Sequence, residues 1–170
     1  MYVRYEAVKK NSCGIVPGVF ALANGLARSG ALSDEDYAWW RANNDWMNGA
    51  YSDPGSVDAK LFDRGIHPHT QCWFKLGGVA EHLLLRTRGY LGLLDRYGVR
   101  WIERRSGTPG PILYEDEYQI VVERTESSKQ AQLVHDAALI DPSAPQLGLS
   151  TSCQGTDCVL WVVTFRPGGR

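Results

Sequence analysis

Ala80, Leu83, Leu84, Thr87, Leu91 and Leu94 recur at the spacing of one face of an α-helix. The stripe ends at Gly98 and predicts a helix across this stretch. Such a face has to be buried against a second layer of structure. The chain offers one at its start, where Tyr2, Arg4 and Glu6 alternate with Val3, Tyr5 and Ala7, the period of a β-strand over Tyr2 to Val8 with one side in a core. Gly89 and Gly92 stand inside the helical stripe, each at a cost of about 1 kcal/mol relative to Ala. Both are expected to mark close packing against a neighbour.

Further elements follow from local signals. Pro17 suits a first helical turn, and Val19, Leu22, Ala23 and Leu26 continue it to a stop at Gly30. Ser33 followed by Asp36 is a short capping box, and Tyr37, Trp40 and Met47 then share one face of a helix that runs to about Asn48. Between Gly49 and Gly78 the periodicity fails, and the stretch reads as a long irregular loop with at most one helical turn at Ala59 to Phe62. A strand is expected over Val99 to Arg105, and Ile112 to Glu117 with Tyr118 to Glu123 reads as either two strands around Asp116 and Glu117 or one long bent strand.

The expected fold is a small single α+β domain. Two or three helices pack on one face of a mainly antiparallel sheet, in the order β-α-α-loop-α-β-β with a late C-terminal strand. Residues 1–124 form the compact part, 125–157 an extended or partly ordered connection rich in Ser, Gln, Ala and Pro, and 158–166 a strongly apolar strand that returns to the sheet.

Eighteen basic and 19 acidic side chains give a net charge of -1, which leaves no basic footprint for nucleic acid. The chain lacks a run of apolar residues long enough to span a bilayer, and the N-terminal MYVRYEAVKK lacks the apolar segment of a signal peptide. A soluble, cytoplasmic protein with no membrane partner is therefore expected, its four cysteines reduced. Phosphate-loop, dinucleotide, zincin and nucleophile-elbow motifs are absent from the sequence.

Candidate chemistry lies in three places. His67, His69 and Cys72 form an H-x-H-x-x-C run whose imidazoles and thiol are zinc ligands or a nucleophile with its base. Only three ligands are local and Pro68 stiffens the backbone between the two imidazoles, so no cofactor is expected, zinc being the weak exception. Glu115 and Glu117 would share a strand face by alternation, where paired carboxylates can serve acid/base chemistry. Arg4 with the later Ser150-Thr151-Ser152 resembles part of the pattern of one class of ADP-ribosyltransferase, but no Glu occurs after Glu126 to supply that family's catalytic acid, and the match is taken as chance.

The aromatic share is the compositional oddity: six Trp occur, with Trp39, Trp40, Trp46 and Trp73 close together. Trp39 and Trp46 fall off the face that carries Trp40, so that helix has more large rings than one core stripe can bury. The expected function is a ligand- or protein-binding domain that uses the aromatic-rich helix and the 49–77 loop, with Arg4, Trp39, Trp46, Trp73 and Lys75 as ligand contacts. The alternative is a small transferase or hydrolase whose cleft joins the His67–Cys72 loop to Glu115 and Glu117. A small molecule or a protein is the expected partner, a second copy paired through the C-terminal strand among them.

Overall fold

The structure is a computed structural model that describes residues 1–124 and the backbone of residues 133–135. The first strand, β1, is Tyr2–Ala7, and it leads to the helices α1, Val19–Arg28, and α2, Asp34–Ala50. A short helix α3, Pro54–Val57, and a 3-10 turn, Ala59–Phe62, precede the strand β2, Thr70–Lys75. A second 3-10 turn, Gly78–Ala80, opens the long helix α4, Glu81–Arg96. Strands β3, Trp101–Ser106, β4, Ile112–Glu115, β5, Gln119–Glu123, and β6, Leu133–His135, follow.

The six strands form one sheet in the order β4-β5-β2-β1-β3-β6, antiparallel at every pairing. The α+β class and the antiparallel sheet are those expected from the sequence. The stretch read as one long loop differs, because it contains β2, a strand at the middle of the sheet. Gln71, Trp73 and Phe74 are buried on both sides of that strand, and a strand covered on both faces loses the polar/apolar alternation by which strands are recognised. The 158–166 strand and most of the 125–157 connection lie outside the described residues; within that connection, the backbone of β6 pairs with the β3 edge.

Local chemistry explains the helix limits. Ser33 caps α2 by accepting the Asp36 N–H at 3.2 Å, as the capping box predicts. Pro17 stands outside the first turn of α1: its carbonyl accepts the Ala7 N–H at 2.8 Å and Gly18 is the N-cap. Both α1 and α4 end in a Schellman turn, with Gly30 at φ +70° and Gly98 at φ +66°, a backbone state that Gly enters without a Cβ clash.

One face of the sheet carries α1, α2 and α4. Val3 and Phe74 from the strands meet Phe20, Leu26, Trp40, Met47, Leu83, Tyr90 and Leu94 from the helices in a single apolar cluster. Phe20 stands edge-on to Tyr90 at 5.0 Å and to Phe74 at 6.2 Å between ring centres, the favoured aromatic geometry. A chain of side-chain hydrogen bonds crosses the cluster: the Tyr90 hydroxyl donates to Asn44 Oδ1 at 2.7 Å, and Asn24 Oδ1 accepts from Asn44 Nδ2 at 3.1 Å and from Trp40 Nε1 at 3.0 Å. Burial pushes the Tyr90 phenol well above its ordinary range. On the other face of the sheet Trp73, Ile120 and Val122 form a smaller cluster against Tyr2.

Candidate aromatic groove between two helices

Helix α2 carries Trp39, Asn43 and Trp46 at i, i+4 and i+7, and α4 carries His82, Leu85, Arg86 and Gly89 at i, i+3, i+4 and i+7. Each set is therefore one helical stripe, and each lies beside the stripe its helix buries in the core. Where α2 and α4 pack together, the two stripes face one another across an open groove of about 460 Å³ that all seven residues line. Its size falls within the range of ordinary small-molecule sites, roughly 300–1,000 Å³.

The walls are aromatic. Trp46 is 38% exposed and Leu85 64%, so both present apolar surface to solvent. The Arg86 guanidinium lies over the Trp46 ring, its Cζ 4.3 Å from the ring centre, an attraction between a cation and the negative face of the indole. His82 meets Trp46 edge-on at 6.0 Å and Tyr118 at 5.7 Å, closing one end with a third aromatic group. Trp39 stands edge-on to Tyr90 at 5.3 Å and rests on the backbone of Gly89, where a Cβ would come within 2.6 Å of Trp39 Cζ2. Gly89 thus marks the close packing expected of it. Gly92 does not: a Cβ there meets only Arg96 Nη1, one turn further along α4, at 4.0 Å.

The other candidate residues are placed elsewhere. Arg4 is 8% exposed and its donors are used by the protein itself. β1 pairs with β2 only at Tyr2 and Val3, and beyond that point the two strands diverge. Arg4 spans the fork, donating to Cys72 O at 3.0 Å, to Val16 O at 3.1 Å and to Glu6 Oε2 at 2.8 Å, while Glu6 Oε1 accepts from Arg104 at 3.1 Å. A side chain replaces the missing ladder bonds. The space left in the fork, about 20 Å³, has room for a water and not for an organic ligand.

Trp73 is 1% exposed on the face away from the helices, so its ring is core and not a recognition surface. Lys75, at the end of β2, pairs with Glu115 at 2.7 Å. At the start of β2, His67 Nδ1 lies 3.3 Å from Glu123 Oε2 and the His69 N–H donates to Glu123 Oε1 at 2.9 Å. Five residues of extended chain, roughly 16 Å, separate these two ends, and the geometry does not bring the histidines and Glu115 to a common point. Glu117 does not share a strand face with Glu115, because Asp116 turns the chain there: its Oδ1 accepts the Tyr118 and Gln119 N–H groups, each at 2.8 Å. An Asx turn of this kind ends β4 and breaks the alternation.

Cys72 is half-buried and outside any disulfide, whereas Cys13 is disulfide-bonded, which corrects the reading of four reduced cysteines; Cys153 and Cys158 lie outside the described residues, as does Ser150-Thr151-Ser152. Among the described residues no group of three or more His, Cys, Asp and Glu side chains is arranged to hold a metal ion, and no helix is long and apolar enough to cross a membrane.

Of the groove residues, Trp39 and Trp46 are legible from sequence as surplus rings. Arg86 and Asn43 are missed, although their helical spacing to His82 and Gly89, and to Trp39 and Trp46, carries the signal. No protein-family model, no curated protein and no solved structure matches the chain.

Proposed function

We propose that this chain is a small-molecule-binding domain whose site is the groove between α2 and α4. The observation that carries the reading is the convergence of Trp39, half-buried at the edge of the core, and the exposed Trp46 with Arg86, His82 and Asn43 on one concavity of ligand size. Large apolar rings held at a surface have a use there, since binding removes them from water. The 49–77 segment contributes no residue to the lining; its part is structural, supplying the central strand β2.

Titrating the 15N-labelled chain with small arenes (indole, benzoate and 2-naphthoate) tests the reading. Shifts concentrated on the Trp39 and Trp46 indole N–H signals and on residues 82–89 support it. Shifts confined to other parts of the molecule, or none at millimolar arene, overturn it.

A further inference from the structure

We propose that the groove selects a flat aromatic carboxylate, its ring against the indoles and its carboxylate on Arg86; this rests on the groove being the binding site. Arg86 supplies the charge argument. No carboxylate is among the residues that line the groove, and among the described residues Arg86 makes no ion pair; the nearby Asp45 pairs with Arg41 at 3.4 Å instead. Its Nε is buried without a hydrogen-bond partner, an arrangement that native structures seldom leave uncompensated.

The Trp46 face holds the guanidinium at the groove wall, its Cζ 4.3 Å from the ring centre. A carboxylate in the groove can accept from its terminal N–H groups. An anion in the groove meets the unpaired charge of Arg86, and a neutral ligand does not. The remaining lining asks for a flat body. Trp39, Trp46 and Leu85 offer apolar surface, His82 an aromatic edge, and Asn43 a short polar side chain whose Nδ2 is already committed to Trp39 O at 2.8 Å, leaving its Oδ1 as an acceptor. A volume of about 460 Å³ holds a two-ring arene with its carboxylate.

Calorimetric titration of the full chain with 2-naphthoate, its neutral isostere 2-naphthamide, and acetate provides the test. Naphthoate is expected to bind at least tenfold more tightly than naphthamide, as about 1.5–3 kcal/mol for charge-assisted hydrogen bonds implies. Acetate is expected not to saturate. Arg86→Gln should reduce naphthoate to the affinity of naphthamide, Arg86→Lys should fall between, and circular dichroism should show both variants folded, because the ring on which Arg86 stacks is itself at the surface. Equal affinity for naphthoate and naphthamide, or an unchanged naphthoate affinity in folded Arg86→Gln, overturns the anion inference and leaves the groove reading standing. Acetate binding as tightly as naphthoate overturns the aromatic part. Failure of both arenes to bind, with the Trp39 and Trp46 signals unmoved, overturns the groove reading and this inference with it. Displacement of naphthoate by an acidic peptide that binds more tightly would replace the small molecule with a protein partner.

Discussion

The indole of Trp39 lies against the bare backbone of Gly89, so near that a Cβ on Gly89 would stand 2.6 Å from Trp39 Cζ2. The contact lets α2 and α4 approach while keeping Trp39 at the groove wall. Replacing Gly89 by Ala sets a gain of about 1 kcal/mol in helix propensity against about 1–3 kcal/mol of overpacking. We expect Gly89→Ala to lower stability by about 1 kcal/mol and to change the near-ultraviolet circular dichroism of Trp39. Gly92→Ala, whose Cβ meets only Arg96 Nη1 at an ordinary 4.0 Å, should raise stability by up to about 1 kcal/mol. Urea unfolding of the pair checks both signs, and equal effects would show that Trp39 yields freely.

Trp40 and Trp46 should respond oppositely to truncation. Trp40 is 4% exposed and bonded to Asn24, so Trp40→Ala should cost about 3–5 kcal/mol. Trp46→Ser, at the groove, should change stability by about 1 kcal/mol or less while abolishing arene binding. Thermal unfolding and the titration above separate the two, and full unfolding of Trp46→Ser would make that ring core.

The Arg4 fork should be among the most sensitive polar points in the sheet. Arg4→Met leaves the Val16 and Cys72 carbonyls without their donor and the buried Glu6 with Arg104 as its one remaining partner, at a cost of about 3 kcal/mol. Adding Glu6→Leu should recover part of that loss, because the under-compensated buried charge is then gone. Denaturant midpoints of the single and double variants give the coupling directly.

A pH effect is expected at the start of α2. The Arg96 guanidinium, at 2.5 Å, and then the Tyr97 hydroxyl, at 2.8 Å, donate to the Asp36 carboxylate and hold it below its ordinary value of 3.8. A depressed carboxyl contributes stability that is fully present above its ordinary value and is lost as pH falls through the lowered one. Asp36→Asn should therefore cost about 0.5–1 kcal/mol at neutral pH, the scale of an exposed pair at a helix start. The difference from the parent should vanish in strong acid. A difference that persists unchanged at pH 2 would assign it to packing.

The α+β class, the three long helices and most of their ends are legible in the sequence because they are set over a few residues. The stripe through Leu83 and Leu94, the Ser33 cap and the turns at Gly30 and Gly98 each depend on neighbours within about two helical turns. The surplus of rings on α2 is equally local, since Trp39 and Trp46 cannot share a face with Trp40. Tertiary structure alone decided the rest. β2 is a central strand because β1 and β5 cover its edges and both its faces are buried, which removes the alternation that would have announced it. Arg4 is a staple because two strands diverge beside it, not because of its neighbours in sequence. The groove exists because α4 lays His82, Arg86 and Gly89 opposite Trp39, Asn43 and Trp46, some forty residues earlier in the chain, and only packing can bring two such stripes face to face.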